Sequence, residues 1–320
     1  MISVIMPSYN AGRWIEEAIG YLLNQTFTDF ELLVINDGST DDTLSICERI
    51  AEKDLRVRII SQPNGGLCSA RNLGLKNAKG QYYIMIDSDD KILPDALQKL
   101  YDAAQESNAD IVVGGYETVD LGKQTRVTHK LPRADFAVNG DLNHLNILSL
   151  LDKRMLAPTW NKLVRREFVD FLFDNTYSIN EDLLFSVTAF AKAERVAIIP
   201  DVIYEYYIRT TSSLSRKFHS ETPSSLDAIW SVLKEHCVGD PDSKYVEFLI
   251  DFLCVYLNRI IHATDIPKES KIRYIKEACN SEMFQDNSKF KNFMSFRRKV
   301  LLVTLKTNTF GWMLSTRKGK

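Results

Sequence analysis

A chain of 320 residues with 45% hydrophobic content and a net charge of −2 has apolar material for one large or two ordinary domains, which excludes a disordered chain. The charge is uneven: residues 287–320 carry nine Lys or Arg and no acid, so removing them from a net −2 leaves −11 on the rest. Five scattered cysteines (Cys47, Cys68, Cys237, Cys254, Cys279), with no C-x-x-C pair, argue against a disulfide framework or a zinc site and for a reducing compartment.

The apolar, β-branched run Ile2 to Met6 predicts a buried strand that ends in the loop Pro7 to Gly12. Met1 to Pro7 has no basic leader and breaks at proline, so no signal peptide is expected. A helix comes next, with Trp14, Ile15, Ala18, Ile19, Leu22 and Leu23 on one face. Glu31 to Ile35 is the second strand, stopped by Asn36-Asp37-Gly38-Ser39, and Thr40-Asp41-Asp42 caps a helix carrying Leu44, Cys47 and Ile50. Val57 to Ile60 is a third strand, closed by Gln62 to Gly66, and Ser69 to Lys76 form a helix. Strand Tyr82 to Ile86, helix Pro94 to Ala104 and strand Ile111 to Gly114 complete a regular alternation. Such alternation means βα units and a mostly parallel sheet, with the polar loops 7–12, 36–39, 62–66 and 87–90 along one edge, where ligands bind.

From Tyr116 to about Gly140 the pattern loosens into polar, hairpin-like structure. Leu142 to Leu151 is predicted helical, 158–163 a compact turn, Asn180-Glu181-Asp182 the start of another helix, and Val196 to Tyr207 strands around Pro200-Asp201. Arg209 to Ser215 reads as a polar loop, and helices are expected over 224–236, 244–262, 268–279 and 295–306. The longest nearly apolar run, Phe248 to Leu257, is about half a bilayer crossing, so a soluble or peripherally bound protein is expected. The five histidines show no metal-ligand spacing.

The stretch Tyr82 to Asp90 carries the most chemistry. Five apolar or aromatic residues read as a strand buried on both faces, and Asp87, Asp89 and Asp90 follow at its carboxyl end. Carboxylates so close raise one another's pKa unless a cation lies among them. Two readings fit: a site for a hard divalent cation such as Mg2+ or Mn2+, or a solvated acidic turn capping the helix that Pro94 begins.

Taken together, the loops form a recognisable set. Val4 to Asn10, Val34 to Asp41, Asn64-Gly65-Gly66 with Ala70-Arg71-Asn72-Leu73-Gly74, Asp87-Ser88-Asp89-Asp90 and Glu181-Asp182 resemble, in order and spacing, the family 2 inverting glycosyltransferases. The resemblance covers roughly residues 1–215 and is nearest to bacterial enzymes that build capsule, exopolysaccharide or cell-wall glycans. It implies the α/β GT-A fold, Rossmann-like, with a mostly parallel sheet and helices on both faces. It also implies a catalytic domain over 1–217, split into a nucleotide-sugar half (1–115) and an acceptor half (116–217), before a helical region over 218–320.

The implied site is equally specific. Asp89, at the last position of the family's D-x-D motif, ligates Mn2+ or Mg2+, while Asp87 contacts ribose or completes the metal site; Pro7, Asn64 and Ser88 border the donor. Asp37 accepts hydrogen bonds from a uracil or a ribose, or else caps a turn. Tyr9 stacks on the base or is a half-buried loop aromatic, and Arg71 meets phosphate or the acids, or makes a surface salt bridge. Asp182 is the implied catalytic base, with Glu181 orienting it or the acceptor; Asn180-Glu181-Asp182 is also a good capping run. Trp160, Asn161 and Lys162 border the acceptor or the phosphates, or are packed, and Arg209 with Ser212 and Ser213 forms a flexible flap over the donor or a plain surface loop.

The implied function is transfer of a sugar from a nucleotide-sugar donor, UDP-linked, to a hydroxyl of a glycan or lipid-linked saccharide, in the cytoplasm. The basic, aromatic tail 287–320 is expected either on the anionic inner face of the cell membrane or against the acidic catalytic domain or a second subunit; no nucleic-acid module accompanies its charge. Two rivals are a sugar-phosphate nucleotidyltransferase-like enzyme, which would carry a glycine-rich, basic N-terminal loop, and a non-catalytic glycan- or nucleotide-binding relative, which would have lost one of Asp37, Asp87, Asp89 and Asp182.

Overall fold

The structure is a computed structural model that describes residues 1–209, 218–263 and 265–286. The predicted helix over 295–306, the basic tail, and Ser212 and Ser213 lie outside the described residues.

Strand β1 (Ile2–Ser8) is buried along its whole length because it runs between two neighbours, as its continuous apolar sequence requires. One neighbour is β2 (Phe30–Asp37), itself paired to β3 (Val57–Gln62); the other is β4 (Tyr82–Met85); all three pairings are parallel. The chain therefore walks outward through β1, β2 and β3, then returns to lay β4 on the far side of β1, which creates a crevice between β1 and β4 at their carboxyl ends. The β1–β4 pairing ends at Ile5 and Met85, with Ile86 N–H donating to the Ile5 carbonyl at 2.9 Å, whereas β1 stays paired to β2 as far as Ser8. Pro7 faces the same side as Ile5, two residues earlier, where the ladder has already stopped and no donor is needed.

Helices α1 (Ile15–Leu23), α2 (Thr43–Ala51), α3 (Gly66–Asn77) and α4 (Ala96–Ser107) alternate with these strands. Helix α3 lies close against β1 because Gly74 has no side chain; a Cβ there would come within 2.3 Å of Ile5 Cγ2.

Beyond residue 90 the sheet becomes mixed. It includes β5 (Lys91–Ile92), β6 (Ile111–Asp120), β7 (Thr125–His129), β8 (Ala134–Ala137), β9 (Lys162–Arg165) and β10 (Arg195–Ile208). The order is β3-β2-β1-β4-β9-β6-β10-β5, with β7 on β6 and β8 on β10. The hairpin expected after Tyr116 is the antiparallel β6–β7 pair. Strand β9 was not expected: the segment read as a compact turn supplies four residues that pair antiparallel with both β4 and β6. The strands expected around Pro200 are one strand, and the register with β6 shifts between Ile198 and Val202, an irregularity that accommodates the missing proline donor.

Helix α5 (Leu145–Asp152) precedes β9 and α6 (Glu181–Lys192) precedes β10. Then come α7 (Thr222–His236), α8 (Ser243–His262), α9 (Lys268–Asn280) and the short α10 (Glu282–Gln285), close to the expected helical spans. In α8, Tyr245, Leu249, Leu253, Tyr256 and Ile260 form the buried stripe that its three-and-four spacing dictates. Helix α6 packs on α7, and a single cluster of buried apolar side chains runs from the sheet into these helices. Among the described residues no helix is long and apolar enough to cross a membrane.

Candidate functional site

The loops at the carboxyl ends of β1 and β2 are stitched to one another. Asn10 N–H donates to Ser39 Oγ (3.1 Å), Thr40 N–H to Asn10 Oδ1 (2.8 Å), Ala11 N–H to Thr43 Oγ1 (2.8 Å) and Gly12 N–H to Asp41 Oδ2 (3.0 Å). Asn10 takes the left-handed φ of 50° that Asn tolerates better than most residues, and Tyr9 beside it is 52% exposed, open to solvent rather than packed.

Asp37 is buried, and its carboxylate is largely committed to the protein. Oδ1 accepts from Gln62 Nε2 (2.6 Å) and Gly65 N–H (2.8 Å), and Oδ2 from Gly66 N–H (2.9 Å), at the start of α3. A carboxylate has about four acceptor directions, so about one is left for a ligand. Asn64 Nδ2 donates to the Asp37 carbonyl (3.0 Å), and Gly38, at φ +71°, makes room for that approach.

Arg71 joins the end of β4 to the start of α6. The guanidinium is buried with Nη1 3.2 Å from Glu181 Oε1, Nη2 3.7 Å from Asp87 Oδ1, and its centre 5.1 Å from the Phe173 ring centre. Burial opposes its charge, but Asp87, Glu181 and Asp182 outweigh it and push the pKa up. Next to it, Asn72 exchanges two hydrogen bonds with the Phe173 backbone, Nδ2 to the carbonyl (2.9 Å) and N–H to Oδ1 (2.8 Å), fixing the segment that leads to α6.

The acids of this cluster are all perturbed upward. Burial pushes Asp87 to about 6, against the pull of Arg71 and with the charges of Asp89 and Asp182 adding to it. Burial and then the Asp182 charge push Glu181 to about 7. Asp182 is raised by burial and partly restrained by Arg71; its Oδ1 accepts from the Leu183 N–H at 2.9 Å. Asp182, Glu181, Arg71 and Asp87 therefore share one electrostatic neighbourhood, although Asp87 and Asp182 are far apart in sequence.

Asp90 points inward. It accepts from the Tyr204 hydroxyl (3.2 Å) and from Tyr207 N–H (2.9 Å), and burial raises its pKa well above the carboxylate range. The same Tyr204 hydroxyl accepts from Asp87 N–H at 3.2 Å, so one buried tyrosine shapes the whole turn. Asp89 faces outward and pairs with Arg209 Nη1 at 3.1 Å; Ser88 between Asp87 and Asp89 is half-buried. A cavity of about 200 Å³ opens beside the Asp89–Arg209 pair, bordered by Trp14, Tyr21, Leu121, Tyr207 and Arg209.

Among the described residues no group of three or more His, Cys, Asp or Glu is arranged to hold a metal ion alone. Asp87 and Asp89 nevertheless fit one as a pair: both are hard oxygen donors with side chains 28% and 47% exposed, and Mg2+-like ions take one or two carboxylates and complete their shell with water and phosphate.

For Trp160, Asn161 and Lys162 the packed reading describes what is seen: all three are buried. Trp160 stacks on Tyr204 (4.5 Å between ring centres) and Tyr206 (5.6 Å). Lys162 Nζ donates to the Met155 carbonyl (3.0 Å), Asn161 Oδ1 (2.8 Å) and the Pro158 carbonyl, and burial brings its pKa down to about 7. The residues that sequence reasoning missed are Tyr204 and Trp14, whose only signal was their place in a strand and on a helix face, and the tethering role of Asn72.

Comparison with known proteins agrees with this geometry. The family model described as "Glycosyl transferase family 2" matches residues 3–173. The uncharacterized glycosyltransferase EpsJ of Bacillus subtilis (strain 168) is 35% identical over 209 residues, covering 64% of this chain; the chain in turn spans only 60% of that protein. Among solved structures, S. aureus TarS 1-349 in complex with UDP-GlcNAc superposes with a TM-score of 0.69 at 24% identity, over 86% of this chain and 79% of TarS 1-349. The mannosyltransferase PcManGT from Pyrobaculum calidifontis, in complex with GDP-Man and Mn2+, superposes with a TM-score of 0.50 at 16% identity, over 98% of this chain and 84% of its own. With a family match over more than half its length, on a sheet and crevice of the kind described, the chain belongs to glycosyl transferase family 2.

Proposed function

We propose that this chain is a metal-dependent inverting glycosyltransferase that moves a sugar from a UDP-linked donor to a hydroxyl of a glycan or lipid-linked saccharide. The observation that carries the reading is the Arg71 bridge: one guanidinium holds the Asp87 end of β4 against the Glu181-Asp182 start of α6. The donor then lies over the crevice between β1 and β4. Pro7, Tyr9, Asn64 and the remaining acceptor direction of Asp37 face its base and ribose, and Ser88 borders its diphosphate. A Mg2+ or Mn2+ ion held by Asp89 and Asp87 would offset the charge that develops on the departing nucleoside diphosphate. The TarS complex with UDP-GlcNAc and the mannosyltransferase complex with GDP-Man and Mn2+ support a nucleotide-sugar donor and a divalent ion.

Asp182 takes the proton from the acceptor hydroxyl as it attacks the anomeric carbon. A pKa raised by burial suits that role, because a base works best when its pKa approaches the working pH. Glu181, tied to Arg71, keeps the first turn of α6 in place, and Arg71 in turn limits the build-up of negative charge between the two acid groups. One attack with one base, and no second nucleophile, gives inversion. On this reading residues 1–217 form the catalytic domain, and the basic tail brings it to an anionic membrane surface carrying the acceptor.

The test is a hydrolysis screen of UDP-, GDP- and TDP-sugars with and without Mn2+. UDP-sugar cleavage that requires Mn2+ is expected; turnover of another class without metal would overturn the reading.

A further inference from the structure

Arg209, directly after β10, is held on four sides. Its guanidinium centre is 4.4 Å from the Trp14 ring centre and 5.0 Å from that of Tyr207, and Nη1 is 3.1 Å from Asp89 Oδ2 and 3.7 Å from Asp90 Oδ1. Its side chain is only 15% exposed, and the residue that leads into α1, β10 and the turn after β4 each contribute a wall. Asp90 already accepts from Tyr204 and Tyr207, so the shorter ion pair, to the more exposed Asp89, is the one that solvent and ligands can reach.

We propose that Arg209 is a tethered competitor for the divalent cation at Asp89, so that the free protein binds metal weakly and takes it up together with a nucleoside diphosphate. The inference rests on the assignment of Asp89 to the metal. A guanidinium on Asp89 Oδ2 already offsets the charge of that carboxylate, and two cations on one carboxylate repel unless further negative charge arrives. Arg209 already faces Asp89 and Asp90, so a divalent ion at Asp89 would bring three positive charges to two carboxylates and leave that corner of the cluster short of anions. A diphosphate supplies them, and its oxygens also match the planar fork of Arg209 once it leaves Asp89. Coupling of this kind is reciprocal: the ion must tighten nucleotide binding by the same factor.

The experiment titrates the full chain with Mn2+, reading free Mn2+ by electron paramagnetic resonance, with and without UDP. In the unmodified protein UDP is expected to tighten Mn2+ binding by about tenfold or more, within the usual range of such couplings. Arg209→Gln is expected to strengthen Mn2+ binding in the absence of UDP and to shrink the UDP effect. Arg209→Lys, which keeps a cation but loses the stacked fork, is expected to lie between the two. Unchanged or weaker Mn2+ binding by both variants without UDP would overturn the proposal while leaving the metal assignment intact. Mn2+ binding that survives Asp89→Asn, or that is absent from the unmodified protein at saturating UDP, would remove the metal assignment itself and this inference with it.

Discussion

Asp182 and Glu181 are adjacent in sequence yet differently engaged. Glu181 gives an oxygen to Arg71, whereas the Asp182 carboxylate accepts at Oδ1 from the backbone N–H of its own helical neighbour Leu183 and makes no ion pair with the guanidinium among the described residues. The roles proposed for the pair rest on that asymmetry. Asp182→Asn keeps the size and the contact to Leu183 but removes the basic oxygen, so kcat for transfer is expected to fall by about 10²–10⁴ while donor affinity is retained. Steady-state transfer rates set beside calorimetric donor binding check this, and full transfer by the variant would remove Asp182 from the mechanism.

At the scale of the element, the start of α6 pits two forces against each other. A helix N-terminus favours a carboxylate, which would lower the pKa of Glu181, but burial and the neighbouring Asp182 push it to about 7. The first turn is anchored from behind by Asn180, in the left-handed region at φ 61°, whose Nδ2 donates to Ser225 Oγ in α7 at 3.0 Å. The raised pKa makes stability depend on pH. Between an ordinary Glu pKa near 4.5 and about 7, the folded protein holds a proton that the unfolded chain has released, so this contribution is fully present below that window and is lost as pH rises through it. Glu181→Gln is expected to remove the dependence: in urea unfolding, the stability of the unmodified protein relative to the variant is greater at pH 5 than at pH 8. A difference that does not change with pH would mean that Glu181 keeps its ordinary titration.

For the whole molecule, the decisive contacts are those that bind the parallel half to the mixed half of the sheet and its helices. Asn72 and Arg71, neighbours on α3, reach the 173–181 segment more than a hundred residues away. Asn72→Ala leaves the Phe173 N–H and carbonyl buried without their partner, and stability is expected to drop by about 1–3 kcal/mol. Transfer is expected to weaken with it, since Phe173 lies beside the Arg71 guanidinium. Urea unfolding and transfer rates on the same variant check both; an unchanged unfolding midpoint would show that the 173–181 segment is positioned by other contacts. The aromatic stack of Trp160, Tyr204 and Tyr206 plays a comparable part on the other side, fixing the turn that presents Asp87 and Asp89.

What the sequence determined alone is the parallel half and the order of its loops. Largely apolar runs at 2–6, 32–35 and 82–86, each succeeded by polar residues, state locally that a strand is buried on both faces and where it stops, and five linked loop motifs, with glycines and Arg71 as well as acids, carry the family resemblance. What only the tertiary structure decided is pairing between distant segments. Residues 162–165 become a strand because β4 and β6 leave a gap that they fill, a fact with no local signal in four residues. Asp37 turns toward Gly65 and Gly66, Asp90 toward Tyr204, and Arg209 toward Asp89, for the same reason: a side chain's propensity and charge are written in its own segment, but the partner that satisfies it is chosen by the packing of the whole chain.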